Sequence, residues 1–187
     1  WVRAVVREHA GNPAVMAYEA ANEANEGNGN IGAWYGAVAV LVRGLDPDAL
    51  VFTGGGHNSN NADVIAGWVR RSGVDAFSLH DYYKPAGSLS PRAGIFNQVA
   101  EMTGVPWYMG ERGFSIHVNG GGSTDQEVNA ANLRREYALY LGGDARTTRC
   151  YGMCYWDARF NQRESTTAYP PEMSGLWRAA CDFRQPV

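Results

Sequence analysis

The chain is poor in cysteine, has no long apolar run and carries no strong excess of either charge. Its 187 residues include three cysteines, too few for the disulfide framework of many small secreted domains. No apolar run approaches the roughly 20 residues that a membrane-spanning helix requires. The net charge of −3 comes without a basic stripe, which argues against nucleic acids and membrane surfaces as partners.

The cysteines are expected to be free thiols. Cys150 and Cys154 lie four residues apart in a predicted strand, which separates their Cα atoms by about 13 Å, too far for a disulfide. A bond between Cys181 and one of them stays open. No CxxC or HxxxH spacing accompanies them, so a zinc site is not expected.

A composition of 45% hydrophobic and 19% charged residues indicates one globular domain. Strand patterns occur at residues 15–21, 50–53, 75–80, 106–110 and 149–156. Helical patterns occur at 1–10, 31–45, 61–72, 92–103, from 124 or 125 to about 141, and at 172–183. This alternation predicts an α/β fold in which βαβ units build a parallel sheet.

Polar and aromatic side chains follow the points where the predicted strands end. They are Asn22 with Glu23, His57, His80 with Asp81 and Tyr82, Glu111 with Arg112, and Trp156. Because parallel strands end at one edge of a sheet, we expect these side chains to share one pocket. Two carboxylates there, Glu23 and Glu111, are what hydrolysis of a glycosidic bond requires.

Each of these residues also has an ordinary structural interpretation. A Glu after a strand is commonly a solvated loop residue, and a lone His or Trp commonly packs in the core. Glu19, in the middle of the first predicted strand, would face a barrel interior or form a salt bridge. The glycine run at 54–56 lacks the spacing of a phosphate-binding loop. The set as a whole favours a functional site.

The segments around these residues resemble the clan A glycoside hydrolases, retaining enzymes with a (β/α)8 barrel. NPAVMAYEAANE, which ends at Glu23, is similar to their fourth-strand motif. HDY, from His80 to Tyr82, is similar to the sixth-strand motif of family 5. PWYMGERG around Glu111 is similar to the seventh-strand nucleophile motif, and Tyr155 with Trp156 to the eighth-strand tryptophan. Related families such as family 39 share much of this pattern.

The resemblance implies a β-glycosidase of the cellulase, mannanase or β-glycosidase kind that needs no metal or organic cofactor. Glu23 would be the acid/base and Glu111 the nucleophile. The implied substrate-binding residues are Asn22, His80, Tyr82 and Trp156. The substrate would be a β-linked carbohydrate, and the resemblance favours a secreted or extracellular protein.

The register of the resemblance also implies an incomplete barrel. Residues 1–10 would correspond to the helix before the fourth strand, so the first three strands would have no counterpart. A full barrel takes about 250 residues. We therefore expect residues 1–187 to be the C-terminal portion of a glycoside hydrolase catalytic domain, with about five βα units. Further strands, or a second copy or chain, would be needed to complete the barrel.

Two other functions stay open. One is an inactive glycan-binding or structural partial barrel. The other is a metal-dependent barrel hydrolase, with the candidate ligands His57, His80, Asp81 and Glu111.

A retaining mechanism predicts about 5–5.5 Å between the carboxyl groups of Glu23 and Glu111. Trp156 and Tyr82 would line the same pocket. The strand positions expected to face the barrel interior are Val15, Ala17, Phe52, Phe77, Leu79, Tyr108 and Met153.

Overall fold

The computed structural model describes residues 1–24, 30–55, 59–82, 86–113 and 126–155, in which five helices alternate with five strands. The helices are α1 (Val2–His9), α2 (Ile31–Leu45), α3 (Ala62–Ser72), α4 (Pro91–Thr103) and α5 (Gln126–Leu141). The strands are β1 (Ala17–Asn22), β2 (Leu50–Gly54), β3 (Phe77–His80), β4 (Trp107–Arg112) and β5 (Cys150–Tyr155). These elements match the predicted ones within two residues at each end, and the helix predicted at 172–183 lies outside the described residues.

The strands follow one another across the sheet in chain order. β1 pairs with β2, β3 with β4 and β4 with β5, always in parallel. β2 and β3 are joined by a parallel bridge between Phe52 and Ala76, and the Asp75 amide donates to the Val51 carbonyl at 2.8 Å. Strand order does not reverse, as it would in a doubly wound sheet, so the arrangement is that of part of a (β/α)8 barrel.

The main core lies between the sheet and the helices. Phe77 of β3 stacks on Phe96 of α4 with ring centroids 5.4 Å apart, and Leu79 is buried in the same cluster. Side chains alternate along a strand, so Ser78 and His80 point to the opposite face, toward the barrel interior. The prediction that Phe77 and Leu79 face that interior was wrong, because β3 has the opposite phase.

Local signals explain where the helices begin and end. The Asn61 side chain caps α3 by accepting from the Asp63 amide at 2.9 Å. Ser90 caps α4 and is followed by Pro91, whose missing N–H costs nothing in the first turn. Gly104 ends α4 in the left-handed conformation. None of the helices in the described ranges combines the length and the apolarity needed to cross a membrane.

The thiols of Cys150 and Cys154 are free, as predicted. Burial raises the pKa of Cys150 to about 12, so its thiol behaves as a small apolar side chain of the core. Cys181, the third cysteine, lies outside the described residues.

Candidate active site

A β-bulge near the end of β4 brings Glu111 to the mouth of the sheet. Leu79 pairs with Met109, but the next residue of β3, His80, pairs with Glu111, so Gly110 is an extra residue in β4. Met109 is buried in the core, and regular alternation would point Glu111 the same way. The extra residue shifts the phase, and the Glu111 side chain meets the end of β3 instead. Bulges re-aim side chains in this way beside active sites.

Two glycines make room for the His80 ring. A Cβ atom on Gly110 would lie 2.9 Å from His80 Nε2 and still closer to the Ser78 hydroxyl. A Cβ atom on Gly55 would lie less than 3.0 Å from three ring atoms of His80, and Gly55 also has a φ of +74°. The ring is therefore enclosed between two backbones, and the His80 side chain is only 5% exposed.

Glu23 and Glu111 approach one another across this ring. His80 Nδ1 lies 3.1 Å from Glu23 Oε1 and 3.4 Å from Glu111 Oε1. The nitrogen and one oxygen of each carboxylate all lie within 4.8 Å of one another. The environments differ, since the Glu23 side chain is 52% exposed and that of Glu111 is 16% exposed. One carboxylate thus faces solvent, and the other is enclosed.

Tyr82 fixes the second oxygen of Glu111. Its hydroxyl donates to Glu111 Oε2 at 2.5 Å, while Oε1 faces His80. Both oxygens of this carboxylate therefore have a neighbour from the end of β3 or the residues just after it. The side chain is held in one orientation, with Oε1 directed toward His80.

The backbone at Glu23 is strained. Its φ is 47°, and among the described residues it is the one non-glycine residue with positive φ. The Glu23 amide donates to the Gly54 carbonyl at 2.7 Å, which holds this conformation. A non-glycine residue in this region costs about 1–3 kcal/mol, and such residues cluster at functional sites. β1 also changes register against β2 between Glu19 and Asn22.

The other predicted site residues have different positions. Asn22 is the exposed last residue of β1, next to Glu23. The carboxylate of Asp81 accepts a hydrogen bond from the Ser90 hydroxyl at the start of α4, so it does not join the cluster. His57 and Trp156 lie outside the described residues, and the place of Trp156 in the pocket stays a prediction.

A second polar cluster lies deeper in the barrel interior. The Tyr108 hydroxyl lies 2.5 Å from Glu19 Oε2 and 2.7 Å from the Thr53 carbonyl oxygen, so one acceptor takes its proton and the other is a close neighbour. The Tyr108 ring contacts the Phe52 ring, with centroids 5.2 Å apart. Burial, together with the Glu19 carboxylate, raises the pKa of Tyr108. Glu19 thus faces the barrel interior, which is one of the two positions considered from the sequence. The feature of the sequence that indicated this position is a single charged residue within an apolar strand.

Arg112 forms a buried pair that the sequence did not predict. Arg112 Nε donates to Glu136 Oε2 at 3.0 Å and Nη2 to Oε1 at 2.6 Å, and both side chains are 0% exposed. Burial raises the pKa of Glu136, although the guanidinium opposes this shift. Arg112 stood out at a strand end, but nothing in the polar and apolar pattern of α5 distinguished Glu136 from a solvated residue.

Comparison with known proteins identifies the fold. No protein-family model matches the sequence, and no significant match is found among curated proteins. A solved GH10 structure from Paenibacillus barcinonensis is similar to 97% of this chain with a TM-score of 0.62 and 15% identity, over 64% of its own length. An endo-beta-1,4-mannanase from Thermotoga petrophila is similar to 90% of this chain, with a TM-score of 0.59 and 18% identity, over 43% of its length.

The chain thus spans less than two thirds of both structures. TM-scores of 0.62 and 0.59 establish the fold, whereas identities of 15% and 18% leave the activity open. The likeness to clan A glycoside hydrolases that the motifs predicted is confirmed at the level of the fold. The chain has the fold of part of a (β/α)8 barrel.

Proposed function

We propose that this chain is the C-terminal portion of the catalytic domain of a retaining β-glycoside hydrolase acting on a β-linked poly- or oligosaccharide. The observation that carries the proposal is the approach of Glu23 and Glu111, with carboxylate oxygens within 4.8 Å at the mouth of the sheet. Retaining enzymes hold their two carboxyl groups about 5–5.5 Å apart, whereas inverting enzymes need about 6.5–9.5 Å to admit a water molecule. The 4.8 Å limit refers to one oxygen of each carboxylate, and it is compatible with the retaining separation.

In the proposed first step, Glu111 Oε1 attacks the anomeric carbon. The bond from that carbon to the glycosidic oxygen breaks, and Glu23 gives its proton to the departing oxygen. The product is a glycosyl ester on Glu111. The hydrogen bond from Tyr82 to Glu111 Oε2 supports this assignment, because it fixes one oxygen of the carboxylate and leaves Oε1 for the attack.

In the proposed second step, a water molecule replaces the leaving group. Glu23 removes a proton from this water, whose oxygen bonds to the anomeric carbon while the ester bond breaks. Two displacements on one carbon restore its original configuration. The 52% exposure of the Glu23 side chain supports its role, because the acid/base must meet a water molecule in every cycle.

The sugar would be bound by residues around the two carboxylates. Asn22 is exposed beside Glu23, so its amide could bind a ring hydroxyl. The imidazole of His80 lies between the carboxylates and offers one nitrogen to them. Trp156 would supply a flat apolar face for the sugar ring. We propose all three as substrate-binding residues, together with Tyr82.

Hydrolysis of a panel of β-aryl glycosides tests the proposal, with the anomer of the released sugar followed by NMR. Glu111→Gln should lower kcat/KM by more than about 10³-fold. Glu23→Gln should lower it by about 10²–10⁴-fold with a poor leaving group. An activated aryl leaving group needs no protonation, so the Glu23→Gln loss should then be much smaller.

Glu8→Gln is the matched control, because Glu8 is an exposed glutamate of α1. It should leave the rates unchanged. A Glu111→Gln variant with parental rates, or a product of inverted configuration, would contradict the mechanism. Binding of oligosaccharides without hydrolysis would instead indicate an inactive glycan-binding module.

We also propose that full turnover requires further strands beside β1. Among the described strands, β2 is the one neighbour of β1, and Met16 just before β1 is 72% exposed. An open strand edge pairs readily with another strand. A longer form of the chain or a second copy would supply it. The mass in solution and the activity of the 187-residue chain test this, and a stable monomer with ordinary turnover would contradict it.

A divalent-metal site is the second candidate for the same cluster. One nitrogen of His80 and oxygens of Glu23 and Glu111 lie within 4.8 Å, and zinc binds such a mixed set of nitrogen and oxygen ligands. A retaining glycosidase should keep its activity in the presence of a chelator. Loss of hydrolysis on chelation, reversed by added zinc, would favour the metal-dependent hydrolase.

A further inference from the structure

Arg112 follows the proposed nucleophile directly and is the last residue of β4. The bulge at Gly110 that turns Glu111 into the mouth also turns Arg112 away from it, because successive strand side chains point to opposite faces. The guanidinium therefore lies between the sheet and α5, with 0% exposure. A charge in such a place requires partners, since burial of an unpaired ion is costly.

Glu136 of α5 is the main partner. Two parallel hydrogen bonds of 3.0 and 2.6 Å join the guanidinium to the carboxylate, an arrangement for which the planar fork of arginine is suited. The Gly87 amide donates to the same carboxylate at 2.7 Å. One side chain of α5 thus binds both the end of β4 and the turn before α4.

The same guanidinium also reaches the chain just after β3. Arg112 Nη1 donates to the Asp81 carbonyl at 3.3 Å, and the Asp81 amide donates to the Glu111 carbonyl at 3.0 Å. Asp81 separates His80 from Tyr82 in the sequence. Both of these side chains contact the Glu111 carboxylate. Two consecutive residues of β4 therefore hold the backbone that carries the neighbours of the proposed nucleophile.

We infer that the Arg112–Glu136 pair is a positioning device for Glu111. By bonding the Asp81 carbonyl, it holds the ends of β3 and β4 in the relation that lets Tyr82 and His80 meet the Glu111 carboxylate. The inference rests on the proposed function, because it assigns the pair a role in the reaction of Glu111. Reacting groups must be placed closely, and a displacement of about 1 Å can cost about 10²-fold in rate.

A purely structural role predicts a different response to substitution. Apolar residues of similar size can often replace a buried ion pair without loss of stability, because desolvation of both charges offsets their attraction. Methionine at both positions would therefore fill the space while removing the bond to Asp81. The double substitution separates the positioning of the β3 end from the stability of the fold.

The test uses the double variant Arg112→Met/Glu136→Met of the whole chain. Its circular dichroism should stay near that of the parent, and its thermal midpoint should fall by only about 2–8 °C, because the Gly87 amide loses its acceptor. On a β-aryl glycoside, kcat should fall about 10- to 100-fold while KM changes by less than about threefold. Arg112→Lys, which keeps the charge, should retain part of the lost kcat. Exchange of the Asp81 amide hydrogen, followed by NMR, should be at least about tenfold faster in the double variant.

Arg43→Met is the matched control, because the Arg43–Asp75 pair of 2.8 Å lies at the opposite ends of the strands. It should leave kcat and the exchange of the Asp81 amide unchanged. Parental exchange at Asp81 in the double variant would overturn the inference, and so would parental kcat in an active chain. If the double variant does not fold, Glu136→Gln is measured in the same two ways, with the same expected directions.

The two proposals can fail separately. A parent chain without any glycosidase activity would reject the proposed function. Faster Asp81 exchange in the double variant would still uphold the role of the pair in holding the end of β3. Unchanged exchange together with normal hydrolysis by the parent would reject the positioning role and leave the proposed function standing.

Discussion

The two ends of the sheet use polar side chains in different ways. At the amino ends of the strands, polar side chains form hydrogen bonds that join neighbouring strands and helices. Asp75 Oδ2 accepts from the Val51 amide and from the Arg43 guanidinium, both at 2.8 Å. Asn97 Oδ1 accepts from the Arg149 amide at the same distance. Each acceptor at this end is matched to donors from a neighbouring strand or helix.

At the carboxyl ends, two carboxyl groups face one another instead. Glu23 and Glu111 share the single nitrogen of His80 that faces them, and Glu23 has a strained backbone as well. Such an arrangement costs stability, and proteins retain it where chemistry requires it. In barrel enzymes, residues at the amino ends of the strands generally stabilise the fold, and residues at the carboxyl ends carry out catalysis.

The largest expected difference between the two ends is in catalysis. Glu111→Gln should lower kcat/KM by more than about 10³-fold, whereas Asp75→Asn should change turnover per folded molecule by less than about twofold. Initial rates, normalised to the folded fraction from circular dichroism, measure both. If Asp75→Asn lowered turnover as much as Glu111→Gln, the proposed difference between the two ends would be wrong, because the amino ends would then contribute to the reaction.

The backbone at the mouth should tolerate little change. A Cβ atom on Gly110 would collide with the Ser78 hydroxyl, and one on Gly54 with the Ala21 carbonyl oxygen. Alanine at either position should therefore lower the free energy of unfolding by about 2–4 kcal/mol. Gly44 in α2 has open space around it, so Gly44→Ala should instead raise it by up to about 1 kcal/mol. Urea unfolding of the three variants measures these changes.

Removal of one carboxylate should cost more stability at the amino ends of the strands than at the carboxyl ends. Asp75→Asn weakens two hydrogen bonds of a side chain that is 34% exposed. The free energy of unfolding should therefore fall by about 1–2 kcal/mol. Glu111→Gln keeps an oxygen that can accept from the Tyr82 hydroxyl, so the free energy of unfolding should change by less than about 1 kcal/mol. Urea unfolding at neutral pH compares them, and a larger cost for Glu111→Gln would show that the mouth stabilises the fold.

At neutral pH the ionisation of two further tyrosines should have no effect on stability, and its contribution should appear only at alkaline pH. Burial raises the pKa of Tyr108 in the interior and of Tyr140 on α5. In the unfolded chain a tyrosine loses its proton near a pKa of about 10. Above that pH the unfolded chain binds fewer protons than the folded chain. Each such tyrosine therefore lowers the free energy of unfolding by up to about 1.4 kcal/mol for every unit by which the pH rises.

Urea unfolding at a series of pH values around 10 measures this slope. Tyr108→Phe and Tyr140→Phe should each make the slope shallower, and the double variant should make it shallower still. The buried Tyr35, whose pKa burial also raises, should account for part of the slope that remains. A slope that neither substitution changes would show that other groups cause the alkaline loss.

Much of the candidate site could be predicted because its residues lie at the carboxyl ends of strands that the sequence pattern locates. Glu23, His80 and Glu111 each stand where an apolar run stops, and parallel strands bring such points together. The rest of the site depends on neighbours that a linear pattern does not contain. Glu136 is 24 residues from Arg112 and lies in a helix, so no local spacing links the two.

The sequence by itself determined the elements, their order and the edge of the sheet at which the polar side chains meet. Periodicity and capping residues such as Asn61 and Ser90 are local properties of the chain, and they need no partner to be effective. Only the tertiary structure decided the direction of the side chains. The phase of Phe77, the bulge that turns Glu111 inward and the partner of Arg112 depend on contacts between distant segments, where packing and burial outweigh local preference.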